Sequence, residues 1–372
     1  MHLFLNHKQA VSAVKAFGKK RTIVIQGENG VGKTAIFHEL EKDAEFRDHI
    51  AVKLDCTQMS DGSVWMPDID RELGVSRELP NERFGVSKLN QRGINGARPS
   101  LVFLDEIAKA KQYIKDVLAP IVYERRVGNY EMAEGSVVFC ATNLSTEGLG
   151  DSIAAHLRSR LMFITLRKPT QPEWYSWGVD AGIDAILLAC SEQNPMWFDS
   201  FLDYEDGGKY AGTPQEKHND VIFNPRLSQF AYVNPRSLHA ASDVVANRDK
   251  VDADTLQATL TGTIGRAAAE VLGAYIRFGD ETPSFSKIVA SPSTCPIPTN
   301  PVAQLITVLK CVTQAGNREE AEACTEYVLR NRRELQSIFA NNIAESVRAS
   351  VFVTVKPFQQ LMQDNRIYFS TK

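Results

Sequence analysis

Gly27-Glu28-Asn29-Gly30-Val31-Gly32-Lys33-Thr34 places glycines around a short loop and follows the last of them with Lys-Thr. Glycine lets a backbone curl until successive N–H groups face one point, and such a nest of donors attracts an anion. A lysine at that position reaches the outer phosphates of a nucleoside triphosphate, and a threonine hydroxyl after it helps hold Mg²⁺. A glycine turn with only a local purpose would not need Lys33 and Thr34. A second pair, Asp105-Glu106, ends the apolar run Leu101–Leu104. At the carboxyl end of a buried strand, Asp105 is placed to bind Mg²⁺ through water, and Glu106 to polarise an attacking water as a general base. Capping of the following helix is the alternative use of either acid.

Two further signals lie downstream. The run Val137–Ala141 leads into Thr142-Asn143. Asn143 at a strand tip fits a sensor of the γ-phosphate and its water, against the plainer role of a turn asparagine. Arg158-Ser159-Arg160 directly precedes the run Leu161–Leu166. An arginine there suits transition-state charge in a neighbouring subunit's site, with Arg160 the first choice and Arg158 the second. A basic helix end facing solvent is the alternative.

These residues need strands and helices to hold them. Ile23–Ile25, Ile50–Leu54, Leu101–Leu104, Val137–Ala141 and Leu161–Leu166 are strand-length apolar runs, mostly β-branched or aromatic. Nearly continuous apolar runs suit a parallel sheet covered on both faces. Helical patterns follow the first run over Lys33–Ala44 and the third over Glu106–Tyr123. The alternation predicts an α/β core, a five-stranded parallel sheet with helices on both faces, over 1–168. Beyond Lys168-Pro169-Thr170 the patterns are helical: Glu173–Ser191, Pro235–Ala246, Ala253–Phe278 and Val302–Ala349, with a Ser/Pro/Thr-rich loop over Thr282–Pro301. An all-α lid over 169–281 and a C-terminal helical region over 282–372, separate or part of that lid, are expected.

The 372 residues are 43% hydrophobic and 23% charged, with a formal charge of -3, so no global attraction to nucleic acid or membrane is built in. The six cysteines show no metal-type spacing, no run is long enough to span a bilayer, and the first residues carry no signal-peptide pattern. A reducing cytoplasm is the expected setting.

The ordered set GENGVGKT, LVFLDE, CATN and RSR resembles AAA+ ATPases. Asp105-Glu106-Ile107, Glu124–Gly128, Glu134–Val138 and Ala141–Asn143 are similar to the MoxR-like, dynein-related branch, with the resemblance specific over about residues 22–166. It implies ATP as the nucleotide, with Mg²⁺, and a homo-oligomeric ring, a hexamer in the family. It also implies a β-hairpin before the sensor strand, here Arg126–Ala133, and an insertion in the second helix, for which Met59–Phe84 has the length. A second sensing arginine in the lid matches Arg236 of Asn234-Pro235-Arg236, with Arg226 of Asn224-Pro225-Arg226 a rival. Ala108-Lys109 stands where the family often has Asn-Arg. No DxSxS motif occurs, so a von Willebrand type A domain enters only as a separate partner. The leading expectation is a chaperone-like motor on a protein client, with Trp65, Met66 and Tyr130 as contacts or packing residues. The alternative is a nucleic-acid ATPase using Lys109, Arg125 and Arg126; a stand-alone P-loop kinase would leave Asn143 and Arg160 unexplained.

Overall fold

The structure is a computed structural model, and it describes residues 3–84, 98–144, 159–205, 207–213 and 219–364. The chain divides into two compact units, Met1–Lys168 and Pro169–Lys372.

The first unit is built on β1 (Phe4–Leu5), β2 (Thr22–Gln26), β3 (Ile50–Asp55), β6 (Ser100–Asp105), β9 (Val137–Thr142) and β10 (Leu161–Leu166). They form one sheet in the order β1-β10-β2-β9-β6-β3, and every pair is parallel. The five expected strands are all present; the two-residue edge strand β1 is an addition. Side chains alternate between faces along each strand, and the sequence exploits both. Val24, Val102, Leu104, Val138 and Cys140 pack with Ile114, Leu118 and Ile121 of α3 (Gln112–Glu124). Their neighbours Ile23, Ile25, Leu101, Phe103 and Phe139 pack on the other face. There they meet Val14 of α1 (His7–Phe17) and Ile36, Phe37 and Leu40 of α2 (Lys33–Lys42). Each such side chain removed from water contributes about 1.5–3 kcal/mol. Parallel strands buried on both faces therefore explain the unbroken apolar runs.

Two antiparallel hairpins stand outside the sheet. One pairs β7 (Arg126–Val127) with β8 (Tyr130–Glu131), within the expected segment. The other pairs β4 (Trp65–Asp70) with β5 (Val75–Pro80), inside Met59–Phe84. It turns at Gly74, which has φ 65, while the Asp70 carboxylate accepts the Leu73 N–H at 3.0 Å. Tyr130 is a packing residue at 7% exposure, Trp65 is half-buried against the same core, and Met66 is exposed.

Among the described residues the second unit is helical, with one isolated bridge, Ile222–Val233, outside its helices. Several expected long helices are divided. Glu173–Ser191 becomes α4 (Gln171–Ala181) and α5 (Ala185–Glu192), because Gly182 takes φ 77 and ends the first. α6 (Pro235–Ala246) matches its expected span. Ala253–Phe278 becomes α7 (Ala253–Ile264) and α8 (Arg266–Asp280), separated by Gly265 at φ 82. The loop after Thr282 contains α9 (Phe285–Ala290). Val302–Ala349 holds α10 (Pro301–Gln314), α11 (Arg318–Leu329) and α12 (Arg333–Ala344). One continuous core runs from Trp174 to Leu361. Among the described residues, no helix is long and apolar enough to cross a membrane.

Candidate nucleotide site

The site residues gather where β2, β6 and β9 end. β2 leaves the sheet at Gln26, and α2 begins at Lys33, so residues 27–32 form the whole connection. Gly30 and Gly32 have φ 76 and 100, backbone that costs any L side chain about 1–2 kcal/mol. Gly27 is required for space: a Cβ there would lie 2.9 Å from the Leu166 carbonyl oxygen. Gly32 caps α2 without a side-chain acceptor, so no side chain of the cap occupies the helix's positive end. Val31 is buried, as is Glu28.

Lys33 is 7% exposed. Its ammonium donates to the carbonyls of Gly27 at 2.7 Å and Glu28 at 2.9 Å, and to Asn143 Oδ1 at 2.9 Å. Residues far apart in the chain meet here because β2 and β9 are sheet neighbours. Thr34 Oγ1 donates to Asp105 Oδ2 at 3.0 Å, and Asp105 Oδ1 accepts the Glu106 N–H at 3.1 Å. Asn29 lies in the same loop.

Glu106 takes φ 53, a left-handed backbone rare for a non-glycine residue, at the turn between β6 and a short 3-10 helix over Ile107–Lys109. The Lys109 ammonium is 3.0 Å from Glu106 Oε2, but off the direction of a hydrogen bond. That oxygen is buried, held by charge alone and without a hydrogen-bond donor. Lys109 is expected from the sequence only as a contact to nucleic acid, although its three-residue spacing from Glu106 is visible there. Cys56, which follows β3, is buried. Burial, with Asp55, Asp105 and Glu106 nearby, pushes its thiol up to about 12.

Arg160 is exposed, its guanidinium carbon 6.0 Å from the Tyr123 ring centroid. Arg158 lies outside the described residues. In the second unit, Arg236 is exposed on the first turn of α6, after an Asn234–Ser237 capping box. Arg226 lies in a turn rather than on a helix and pairs with Glu205 at 3.0 Å.

The cations expected to face nucleic acid are otherwise engaged. Arg125 donates to Thr22 Oγ1 at 2.6 Å, the Val122 carbonyl at 3.1 Å and the Gly18 carbonyl at 3.0 Å. Arg126 is half-buried, bonded to the Gly128 carbonyl at 3.3 Å and 3.5 Å from Glu124. Lys109 is the partner of Glu106.

Among the described residues, no group of His, Cys, Asp and Glu is built to hold a metal by itself. That suits Mg²⁺, which is commonly held by one or two protein oxygens together with the substrate's phosphates and water. The Thr34–Asp105 pair would supply such oxygens, and Glu106 Oε2 beside it is buried without a hydrogen-bond partner.

No protein-family model matches the chain, and no curated protein matches it. Among solved structures it is similar to NtrX from Brucella abortus in complex with ADP, with 12% identity and TM-score 0.38 over 95% of this chain and 68% of that one. It is also similar to the ATP complex of NtrX, with 14% identity and TM-score 0.36 over 92% and 68%. A RuvB mutant from Thermotoga maritima has 14% identity and TM-score 0.30 over 96% and 85%. At these values the likeness carries no argument. The chain's own parallel sheet, its glycine loop opening a helix and its helical second unit make the fold that of an α/β P-loop protein followed by a helical unit.

Proposed function

We propose that the chain is an AAA+ ATPase that hydrolyses ATP with Mg²⁺ at the interfaces of a homo-oligomeric ring and uses the work to remodel a protein or macromolecular complex. The observation that carries the ATPase part is the junction of Lys33, Asn143, Thr34 and Asp105 at the ends of adjacent parallel strands. Residues 27–34 bind the phosphates through backbone N–H groups, and Lys33 exchanges its carbonyl partners for phosphate oxygens. Thr34 and Asp105 would hold Mg²⁺, which would supply charge neutralisation at the phosphates when bound. Glu106 orients and deprotonates the attacking water, and Asn143 fixes its position. Phosphoryl transfer asks for positioning and charge more than covalent chemistry, which fits a site made of donors and two acids.

Arg160, exposed and ahead of β10, is the residue we assign to a neighbour's site, with Arg158 as the second choice. Head-to-tail contacts of that kind close into rings, and six subunits is the number the resemblance implies. Arg236 is the lid residue we assign to the γ-phosphate. A protein client is favoured over nucleic acid because Arg125 and Lys109 are occupied within the unit. A von Willebrand type A domain protein remains the partner suggested by resemblance. A reducing cytoplasm is the proposed setting. The test is turnover by assembled rings with candidate proteins and with DNA, plus a salt titration of any DNA binding. Stimulation by protein with no DNA binding at low salt is expected; steeply salt-dependent DNA binding that stimulates turnover would reverse the choice of client.

A further inference from the structure

A nucleotide held by residues 27–34 has a nucleoside as well as phosphates, and the sheet order decides on which side it lies. Asn143 after β9 and Asp105-Glu106 at the end of β6 take the γ-phosphate end. Both strands lie on one side of β2, while β10 and β1 lie on the other. A triphosphate with its γ end toward β9 therefore leads its nucleoside toward the β10–β1 side. His7 stands on that side, as the first residue of α1 and two residues after β1. Its ring adjoins the phosphate loop: a Cβ placed on Gly32 would lie 3.9 Å from His7 Nδ1.

Both the backbone and the far edge of this ring are tied down. α1 begins at the Asn6–Gln9 capping box, and its Ala10, Val11 and Val14 share a core with Ile36, Phe37 and Leu40 of α2. His7 Nε2 lies 2.8 Å from Glu39 Oε2 on the same α2. A carboxylate only accepts, so Nε2 carries the hydrogen and, in the neutral ring, Nδ1 is an acceptor. Among the described residues nothing donates a hydrogen bond to Nδ1. The side chain is 34% exposed, so a ligand can reach it. On the nucleotide-binding role proposed for residues 27–34, we infer that His7 Nδ1 accepts a hydrogen bond from the nucleoside and makes His7 a specificity-determining residue. The donor is the exocyclic amine of adenine or a ribose hydroxyl. Guanine carries a carbonyl oxygen where adenine carries that amine, so an acceptor placed against the base rejects it.

The experiment is calorimetric titration of the full chain, as wild type, His7→Phe and His7→Asn, with Mg²⁺ and a set of triphosphates. The set is ATP, GTP, purine riboside triphosphate, which lacks the amine, and the 2′-deoxy and 3′-deoxy forms of ATP. His7→Phe keeps a ring without the acceptor and should weaken ATP binding by about two- to tenfold. His7→Asn sets an amide oxygen near the place of Nδ1 and should recover most of that loss. The loss should vanish with the analogue that lacks the partnered group. That analogue is purine riboside triphosphate if the base amine is the donor, and a deoxy form if a ribose hydroxyl is. With the amine as donor, wild type also prefers ATP to GTP by about tenfold, and His7→Phe loses the preference. A loss of the same size with every analogue, or none with ATP, would overturn the role of His7 and leave that of the phosphate loop standing. Failure of the wild type to bind any triphosphate would overturn both.

Discussion

Replacing Arg125 with methionine should loosen the first unit, because its guanidinium ties three segments together. It bonds Thr22 at the start of β2, Val122 near the end of α3, and Gly18 after α1. Hydrogen bonds from a charged donor contribute about 1.5–3 kcal/mol each, so a simple sum over three would be about 4.5–9 kcal/mol. Two features reduce it. The Val122 carbonyl also accepts the Thr22 hydroxyl at 2.5 Å, and the Gly18 carbonyl also accepts the Val138 N–H at 3.4 Å. Burial also lowers the pKa of Arg125, so methionine relieves a desolvation cost while keeping much of the stem's packing. The net loss is about 2–3 kcal/mol, or about 5–10 °C in melting temperature for a unit of this size. The left-handed backbone of Arg125, φ 58, is equally strained with Arg, Met or Lys, so that term cancels. Hydrogen exchange read by peptides should show the loss in β2, α3 and β9, with the second unit unchanged. Arg125→Lys should lose about half as much, because the charge stays but the fork of donors goes. A loss below about 0.5 kcal/mol for Arg125→Met, or one shared equally by both units, would refute the reasoning.

Other outcomes follow from the same geometry. Gly27→Ala meets the Leu166 carbonyl and Gly32→Ala is strained at φ 100, so each should weaken ATP binding by about tenfold or more in a fluorescence titration. Because burial raises the Glu192 carboxyl above 4.5, the folded state holds its proton longer than the unfolded one. The stability this gives is fully present below about pH 4.5 and is lost as pH rises through the folded value. Glu192→Gln should therefore flatten the fall in the second unit's stability above pH 4.5; an unchanged slope would show that Glu192 is not its source. Arg160→Ala and Glu106→Gln should each abolish turnover, yet a mixture of the two proteins should recover part of it, since one subunit then completes another's site. A dead mixture would argue against a shared site.

β2, β6 and β9 were legible because each is apolar on both faces, β3 because Val52 and Leu54 turn inward, and the loop between β2 and α2 because its glycines and Lys-Thr have few other uses. Element ends were less so. α1 starts at an Asn6–Gln9 capping box, but β1 is only two residues long and pairs with β10, a contact invisible in local sequence. The breaks at Gly182 and Gly265 come from single backbone conformations that a helical pattern runs through. The β4–β5 hairpin exposes Met66, Val75 and Leu79 on one face and Ile69 on the other, so it lacks the alternation of a half-buried strand. Within the site, the residue types suggested chemistry, while the Lys33–Asn143 and Glu106–Lys109 contacts needed the sheet order and the left-handed turn at Glu106.

The most direct measurement is ATP binding and steady-state phosphate release by Glu106→Gln and Lys33→Ala beside the wild type. Glu106→Gln should bind ATP as tightly as wild type and lose turnover by about 10²–10⁴-fold, as expected for removal of a general base, while Lys33→Ala should lose binding itself. Wild-type phosphate release from Glu106→Gln would contradict the assignment of this site as the place where ATP is hydrolysed.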